Sequence, residues 1–231
     1  MKIALIHATT TALKPIEIAF QTVAPNIELL HFMDTSLLSL MEKSGKLTPE
    51  IIRRFSALVN LACDSEVLCI QLTCSAFNDI TAILQPLYSV KLFRSDEAML
   101  DEALRYTRIG LVSTVKETPI ALQNYLLNKN PDCMIESLVD PGIIHLLSQG
   151  KRKEHDDRVK KMVEQLDGKT EVILLSQYSM EHIAKQVNPS VPVLHDRMSH
   201  HIYRFLTVCM MRTAKNFAYT LNFFKDDNQK D

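Results

Sequence analysis

A cysteine between two hydroxyl residues, Thr73-Cys74-Ser75, is the clearest candidate for chemistry in this sequence. It follows an apolar run, Val67 to Leu72, that predicts a buried strand, and it precedes a segment that we predict to be helical as far as Pro86. The unpaired N–H groups of a helix N-terminus favour a thiolate over a thiol. Cys74 is therefore a candidate acid, base or nucleophile. The alternative is a buried structural cysteine, and the flanking hydroxyls favour the functional interpretation.

The overall composition excludes several classes of protein. The chain has 231 residues, of which 46% are hydrophobic and 23% charged, and its net charge is −1. These values are typical of a globular protein and offer no basic surface for nucleic acid or for an anionic membrane. The longest apolar C-terminal stretch is bounded by Arg204 and Arg212, so we expect no membrane-spanning segment. The N-terminal apolar run is too brief for a signal peptide.

The cysteines and glycines bear on compartment and cofactor. Five cysteines without regular spacing indicate a reducing compartment, and we predict a cytoplasmic protein. Cys63, Cys69 and Cys74 lack the spacing of a zinc site, and we expect no metal. Only five glycines occur, none of them in a Gly-rich loop, so we expect no nucleotide cofactor either.

Strands and helices alternate along the chain. In the first half we predict strands at 2–7, 27–32, 67–72 and 87–93, and helices at 15–23, 37–43, 49–63 and 96–106. Strands that are apolar throughout and separated by helices predict a parallel sheet that is buried on both faces.

The pattern then repeats. Residues 108–113 resemble residues 2–7, which lie 106 positions earlier in the sequence. Residues 171–175 resemble residues 66–70, which lie 105 positions earlier. We interpret this as an internal duplication that gives an α/β fold of two pseudo-symmetric domains, each a parallel sheet of about four strands flanked by helices. The predicted domains are residues 1–96 plus 199–231, and residues 97–198. The segment 199–224 is predicted as one helix that packs back on the first domain.

Two such sheets that face each other would share one cleft, because ligands of parallel sheets bind beyond the carboxyl ends of the strands. The strand ends carry short hydroxyls, which suit a substrate carboxylate. We predict the active site in this inter-domain cleft. The candidate substrate-binding residues are His7, Thr9, Thr73, Ser75, Ser113, Thr114, Thr118, Ser176 and His195. For the threonines, helix capping is an alternative role that is compatible with binding. For the two histidines, the alternative is an ordinary hydrogen-bonded loop residue.

The arrangement resembles the aspartate/glutamate racemase superfamily over nearly the whole chain. The resemblance is carried by residues 72–76 (LTCSA), 109–114 (IGLVST) and 173–180 (ILLSQYSM). It implies cofactor-independent chemistry at the carbon next to a carboxylate, on an amino acid or a related small molecule. In the racemases of this superfamily, two cysteines on opposite faces of the substrate remove and return the proton. The superfamily often forms dimers, so a homodimer is an expectation, although the last helix could instead close the core of the first domain.

This sequence departs from that pattern at the second cysteine. The motif of the superfamily places that position near Gln177, whereas the ungapped internal repeat matches Cys74 with Ser179. Neither residue is a thiol, and Cys133 and Cys209 lie elsewhere in the pattern. The resemblance includes a single-cysteine decarboxylase, in which the one cysteine protonates one face of an enediolate. By that analogy Cys74 is the acid, and Thr73, Ser75, Ser113, Thr114 and Thr118 stabilise the oxygens.

Three functions stay open at this point. The first is a racemase-like isomerase with Cys74 as acid/base, together with Gln177 or Ser179. The second is a decarboxylase-type lyase with Cys74 alone. The third is a protein that binds a small carboxylate and has lost the chemistry.

Overall fold

The structure is a computed structural model, and it describes residues 1–195 and Ile202. Its strands are β1 (Lys2–His7), β2 (Glu28–Met33), β3 (Cys69–Leu72), β4 (Lys91–Phe93), β5 (Arg108–Ser113), β6 (Met134–Val139), β7 (Val172–Leu175) and β8 (Val193–His195). Its helices are α1 (Leu13–Val23), α2 (Ser36–Ser44), α3 (Pro49–Asp64), α4 (Ile80–Leu84), α5 (Glu97–Ala103), α6 (Thr118–Lys129), α7 (Ile144–Ser148), α8 (Arg152–Leu166) and α9 (Glu181–Ala184). Three short 3-10 turns occur at Ser75–Phe77, Gln85–Leu87 and Tyr178–Met180.

The strands form two parallel sheets with the same topology. The first sheet has the order β2-β1-β3-β4, and the second has the order β6-β5-β7-β8. Every strand pair is parallel. The predicted α/β fold with two four-stranded parallel sheets is therefore confirmed, and the equal strand orders agree with an internal duplication.

Apolar side chains fill both faces of each sheet. In the first sheet, Ala4, Ile6 and Ile70 pack towards α2 and α3, whereas Ile3 and Leu5 pack towards α1. In the second sheet, one core contains Ile109 and Leu111 and the other contains Val112 and Ile173. The side chains of a strand alternate between the two faces, so these unbroken apolar strands need helices on both sides.

The C-terminal part of the chain beyond His195 lies outside the described residues, with the exception of Ile202. Ile202 is helical and fully buried in the same cluster as Ile3 and Leu5 of β1. The predicted helix 199–224, and with it the domain limits 1–96 plus 199–231 and 97–198, stay predictions. Within the described residues, no helix is long and apolar enough to cross a bilayer.

Two predicted elements of the first half are wrong in extent. The segment that follows Cys74 is not one helix: the 3-10 turn Ser75–Phe77 comes first, and α4 begins only at Ile80. Asn78 sits between them, and its amide bonds to Ser95 across a buried contact. Strand β4 has three residues instead of the predicted seven, because Pro86 lies within the 3-10 turn Gln85–Leu87 that precedes it.

Gly110 in β5 is the counterpart of Ala4 in β1. Gly110 pairs with Ile173 of β7, and Ala4 pairs with Ile70 of β3, the strand that occupies the same place in the first sheet. A Cβ atom at Gly110 would lie 3.0 Å from Cδ1 of Leu166 and 3.2 Å from Oγ1 of Thr170.

We expect Gly110→Ala to lower the free energy of unfolding by about 1–3 kcal/mol, because the added methyl group overpacks the contact between β5 and α8. Urea unfolding curves would measure this change. Where space allows, Gly→Ala stabilises by about 0.4–1 kcal/mol, so a variant that is more stable than the wild type would contradict the prediction.

Candidate functional site

A small pocket lies between the two halves at the carboxyl ends of their strands. Its volume is about 30 Å³, and we call it the inner pocket. Side chains from both halves line it: Thr9, Thr11, Ala12, Leu38, Thr73, Cys74, Ser75 and Ser95 from the first, and Val115, Ile144, Ser176, Gln177, Tyr178 and Ser179 from the second. The pocket wall is therefore rich in hydroxyls, as the strand-end pattern predicts.

Cys74 lies in this wall directly after β3. Its side chain is half-buried, and it also packs against the apolar cluster around Ile70 and Phe77. Burial raises the pKa of the Cys74 thiol to about 11, and the backbone hydrogen bond from Ala76 lowers it only in part. The prediction that helix amides stabilise a thiolate is wrong for this structure. The 3-10 turn after Cys74 has only three residues, so few peptide dipoles add up and desolvation dominates.

The register of the two sheets shows which residue of the second half corresponds to Cys74. Thr73 donates its N–H and its hydroxyl to the carbonyl of Ile6, the latter at 3.1 Å. Ser176 does the same to the carbonyl of Val112, with 2.8 Å for the hydroxyl. Thr73 is therefore equivalent to Ser176.

Cys74 is then equivalent to Gln177, the next residue in each half. Both have extended backbones, with φ and ψ of −125° and 112° at Cys74 and of −146° and 143° at Gln177, and both precede a three-residue 3-10 turn. The ungapped match of Cys74 with Ser179 is wrong, because β3 and β7 correspond at a distance of 103 residues whereas β1 and β5 correspond at 106.

The side-chain amide of Gln177 is held in one orientation. Its Oε1 accepts hydrogen bonds from the backbone N–H and from the hydroxyl of Thr114, both at 2.8 Å. The backbone N–H can only donate, which identifies the bonded atom as the amide oxygen. Among the described residues the amide nitrogen of Gln177 has no hydrogen-bond partner, so its two N–H groups are left for a ligand.

Seven of the predicted site residues line the inner pocket: Thr9, Thr73, Cys74, Ser75, Ser176, Gln177 and Ser179. The other five, His7, Ser113, Thr114, Thr118 and His195, do not line it, which corrects the expectation that all strand-end residues reach the cleft.

These residues mostly support the wall from behind. The hydroxyl of Ser113 bonds to the carbonyl of Val115 at 2.8 Å, and that of Thr118 bonds to Ser75 at 3.2 Å across the two halves. His195 ends β8, which lies at the edge of the second sheet.

Hydroxyl protons that serve the fold are not available to a substrate. The hydroxyls of Thr73 and Ser176 donate to strand carbonyls, as described above. Thr9 and Thr11 share one hydrogen bond of 2.8 Å, so one of their two hydroxyl protons is left over. The Oγ of Ser179 is buried and has no hydrogen-bond partner among the residues that the structure describes. The Ser75–Thr118 pair shares one hydrogen bond in the same way. The side-chain amide and hydroxyl donors that remain for a ligand are thus the Thr9–Thr11 and Ser75–Thr118 pairs, Ser179 and the amide nitrogen of Gln177.

Sequence reasoning missed the role of Tyr178. Its hydroxyl accepts a hydrogen bond from Gln71 at 3.0 Å and donates to the carbonyl of Ser95 at 3.1 Å. It thus joins the second half to the core of the first beneath the inner pocket. A polar residue in the middle of an apolar strand, Gln71, is the sequence signal that could have predicted a buried partner.

His7 supports the pocket from below through Thr73. The Nδ1 of His7 lies 2.9 Å from the hydroxyl of Thr73, and its Nε2 lies 3.0 Å from Nδ1 of His31. Since the hydroxyl proton of Thr73 goes to Ile6, His7 carries its proton on Nδ1 and accepts from His31. Burial, and secondarily the charge of His31, lowers the pKa of His7 from 6.5 to about 4.

This pKa makes stability depend on pH. Between pH 6.5 and 4 the unfolded chain binds a proton at His7 that the folded protein does not, so the free energy of unfolding falls as the pH falls. The full loss through His7 is about 3 kcal/mol. We expect His7→Gln to remove the contribution of His7 to the fall in unfolding free energy at acidic pH. The difference between the urea midpoints at pH 7 and pH 4 measures that fall, and it should be smaller in the variant. Equal acid sensitivity in the two proteins would contradict the prediction.

The described residues contain no group of three or more His, Cys, Asp or Glu side chains placed to hold a metal ion.

Neither a family model nor a curated protein matches the sequence. Solved structures with a similar fold do exist. Glutamate racemase from Francisella tularensis in complex with D-glutamate has a TM-score of 0.69 and 16% identity, covering 90% of this chain and 81% of that one. An aspartate racemase homologue from Pyrococcus horikoshii has a TM-score of 0.63 and 16% identity, and the match covers 90% of this chain and 99% of that one. Allantoin racemase from Klebsiella pneumoniae has a TM-score of 0.58 and 18% identity, and the match covers 91% of this chain and 88% of that one. The chain therefore shares the fold of these solved racemase structures.

Proposed function

We propose that this protein is a cofactor-independent enzyme that transfers a proton at the carbon next to the carboxylate of a small amino-acid-type substrate, with Cys74 as the acid/base group. The observation that carries the proposal is the position of Cys74, which lies in the hydroxyl-lined pocket between the two halves. The similar solved structures named above are racemases or a racemase homologue, one of them in complex with D-glutamate. Their fold and the Cys74 pocket support an enzyme of the same kind.

The proposed proton transfer takes place on one face of the substrate carbon only. Gln177 takes the place of Cys74 in the second half, and a carboxamide cannot remove a proton from carbon. Its N–H groups can instead donate to a substrate oxygen. A substrate carbon between the two residues therefore receives its proton on the Cys74 face only. This arrangement favours an isomerase or a decarboxylase-type lyase with one proton donor over a symmetric two-thiol racemase.

The protonation state of Cys74 fits the role of an acid. A thiol with a pKa of about 11 carries its proton at neutral pH. When a substituted malonate loses carbon dioxide, the electron pair of the broken C–C bond stays on the α-carbon and forms an enediolate, which would take the proton of Cys74. The sulfur would be left as a thiolate and regain a proton from water. In α-proton exchange, the thiolate form of Cys74 would first remove the proton and then return one from the solvent to the same face. The developing negative charge on the substrate oxygens would be met by the amide nitrogen of Gln177, by Ser179 and by the free proton of the Thr9–Thr11 pair.

Proton NMR in heavy water tests this proposal. The protein is incubated with small amino acids, hydantoins and substituted malonates, and exchange at the α-carbon and loss of carbon dioxide are followed. We expect deuterium to enter one enantiomer only, because one face has a proton donor. Label that enters both enantiomers at equal rates would contradict the one-sided mechanism, and the absence of exchange and of decarboxylation across the panel would contradict the enzyme.

The raised pKa of Cys74 also favours a second candidate, a protein that binds a small carboxylate without converting it. Alkylation by iodoacetamide would be slow at pH 7 in either case, since little thiolate is present. The two candidates differ in the complex with a ligand. A binding protein would shift its melting temperature with a carboxylate and leave the α-proton of that carboxylate unexchanged.

We further propose a cytoplasmic location and a homodimer. The location rests on the cysteine pattern, and Cys63, Cys74 and Cys133 are free thiols. The homodimer rests on the resemblance to the superfamily. Fractionation of cells and sedimentation velocity of the purified protein would test these two proposals.

A further inference from the structure

A second cavity, which we call the outer cavity, adjoins the inner pocket. Its volume is about 800 Å³, and it shares Thr11, Tyr178 and Ser179 with the inner pocket. The inner pocket, at about 30 Å³, has room for about two water molecules. A ligand that reaches Cys74 can therefore place only a small head there, and the rest of it extends into the outer cavity.

Three cations from both halves line the outer cavity. Lys14 lies on α1, Arg152 begins α8, and Lys185 follows α9. None of the three forms an ion pair with another described residue. Like charges around one cavity repel each other, and an anion bound among them would remove that repulsion.

Within the described residues, one acidic side chain lines this cavity and a second lies next to its lining. Among the described lining residues the only carboxylate is Glu181. Asp156 lies behind His182 and accepts a hydrogen bond of 2.7 Å from its Nε2, while the other oxygen of Asp156 accepts one of 2.8 Å from the buried His155. The three cations and Glu181 together give the described lining a net charge of +2.

This charge matches a phosphate monoester, which carries about −1.5 to −2 at neutral pH and offers three acceptor oxygens. The lining residues supply donors for them, namely the three cations and the hydroxyl of Thr10. Ser179, whose buried Oγ has no partner within the described part of the chain, lies where the two cavities meet. A carboxylate carries half the charge and one oxygen fewer, so it would leave part of this set unused.

We propose that the outer cavity binds a phosphoryl group, and that the substrate is a small carboxylate that carries a phosphate at its other end. The inference rests on the proposed function in one respect, because it takes the inner pocket as the site of the substrate carboxylate. Arg152 and Lys185 are positioned to bind the phosphate from the second half, and Lys14 from the first.

Isothermal titration of the full chain with matched ligands tests the ligand class. O-phosphoserine, serine and aspartate, each as both enantiomers, are compared at fixed ionic strength. We expect one enantiomer of O-phosphoserine to bind at least about tenfold more tightly than serine or aspartate. If aspartate or serine binds as tightly as O-phosphoserine, or if O-phosphoserine does not bind, the proposal is wrong.

Charge reversal tests the location. We expect Arg152→Glu and Lys185→Glu each to weaken O-phosphoserine binding by about tenfold or more. The control is Lys161→Glu, an exposed position on the same helix α8 that does not line the cavity, and its affinity should stay within about twofold of the wild type. Circular dichroism confirms that each variant is folded. Equal affinities for all three variants would overturn the assignment.

The two proposals fail separately. Titration measures binding without turnover, so a lack of O-phosphoserine binding counts against the phosphoryl site alone. A lack of α-proton exchange or decarboxylation with any carboxylate, while O-phosphoserine binds as expected, counts against the proposed enzyme alone.

Discussion

Replacement of Cys74 by serine is expected to lower the rate of α-proton exchange by about 10²–10⁴-fold, the usual contribution of a positioned general acid or base. A serine hydroxyl is nearly the same size as a thiol but is a far weaker acid. The half-buried position of residue 74 tolerates a hydroxyl, since polar side chains surround it in the inner pocket. Proton NMR in heavy water measures the rate, on whichever of the small amino acids, hydantoins and substituted malonates proves to be the substrate.

The matched control is Cys63→Ser. Cys63 is also free and half-buried, and it packs against the same apolar cluster as Cys74, but it lies on α3 and does not line the inner pocket. We expect this variant to keep its exchange rate within about twofold, because surface-near substitutions away from a site have small effects. If the two variants lose activity equally, or if Cys74→Ser stays fully active, Cys74 is not the acid/base group.

The replacement Gln177→Cys is expected to give the protein a second proton-transfer group. Residues 74 and 177 have similar extended backbones before equivalent 3-10 turns, so a thiol at 177 would face the inner pocket from the opposite half. We expect deuterium to appear in both enantiomers, with the rate at the second face raised by about 10²-fold or more over the wild type. Chiral chromatography of the labelled product measures the two rates.

The control for this gain is Gln177→Ser. Both variants lose the two hydrogen bonds from Thr114 to the amide of Gln177, which costs about 1–3 kcal/mol of stability in each. Only the cysteine variant adds an acid/base group. Exchange at the second face that rises equally in both variants, or in neither, would show that position 177 does not face the reacting carbon.

Much of the fold follows from local patterns in the sequence. Strand β1 has the predicted limits of 2–7, and α3 runs from Pro49 to Asp64 where 49–63 is predicted. Continuous apolar runs and a proline at the first helical position are strong local signals. The repeat at a distance of 106 correctly indicates two sheets with the same strand order.

Local patterns fail where a tertiary contact decides the backbone. The chain after Cys74 has apolar residues suited to a helix, but the bonds of Asn78 to Ser95 hold the turn Ser75–Phe77 apart from α4. The sequence repeat also cannot detect a shift in spacing that occurs in connecting loops. For this reason the match of Cys74 with Ser179 is wrong by two residues, whereas the strand register agrees with the position near Gln177 that the motif of the superfamily indicates.

The sequence by itself determined the α/β class, the duplicated topology and the presence of Cys74 after a central strand, because these depend on apolar periodicity and chain order. The tertiary structure alone decided which strand-end residues reach the inner pocket, the pKa of Cys74 and the meeting of Lys14, Arg152 and Lys185 at one cavity. Solvation and charge depend on neighbours that are far apart in the chain, and only the packing of the two halves against each other brings them together.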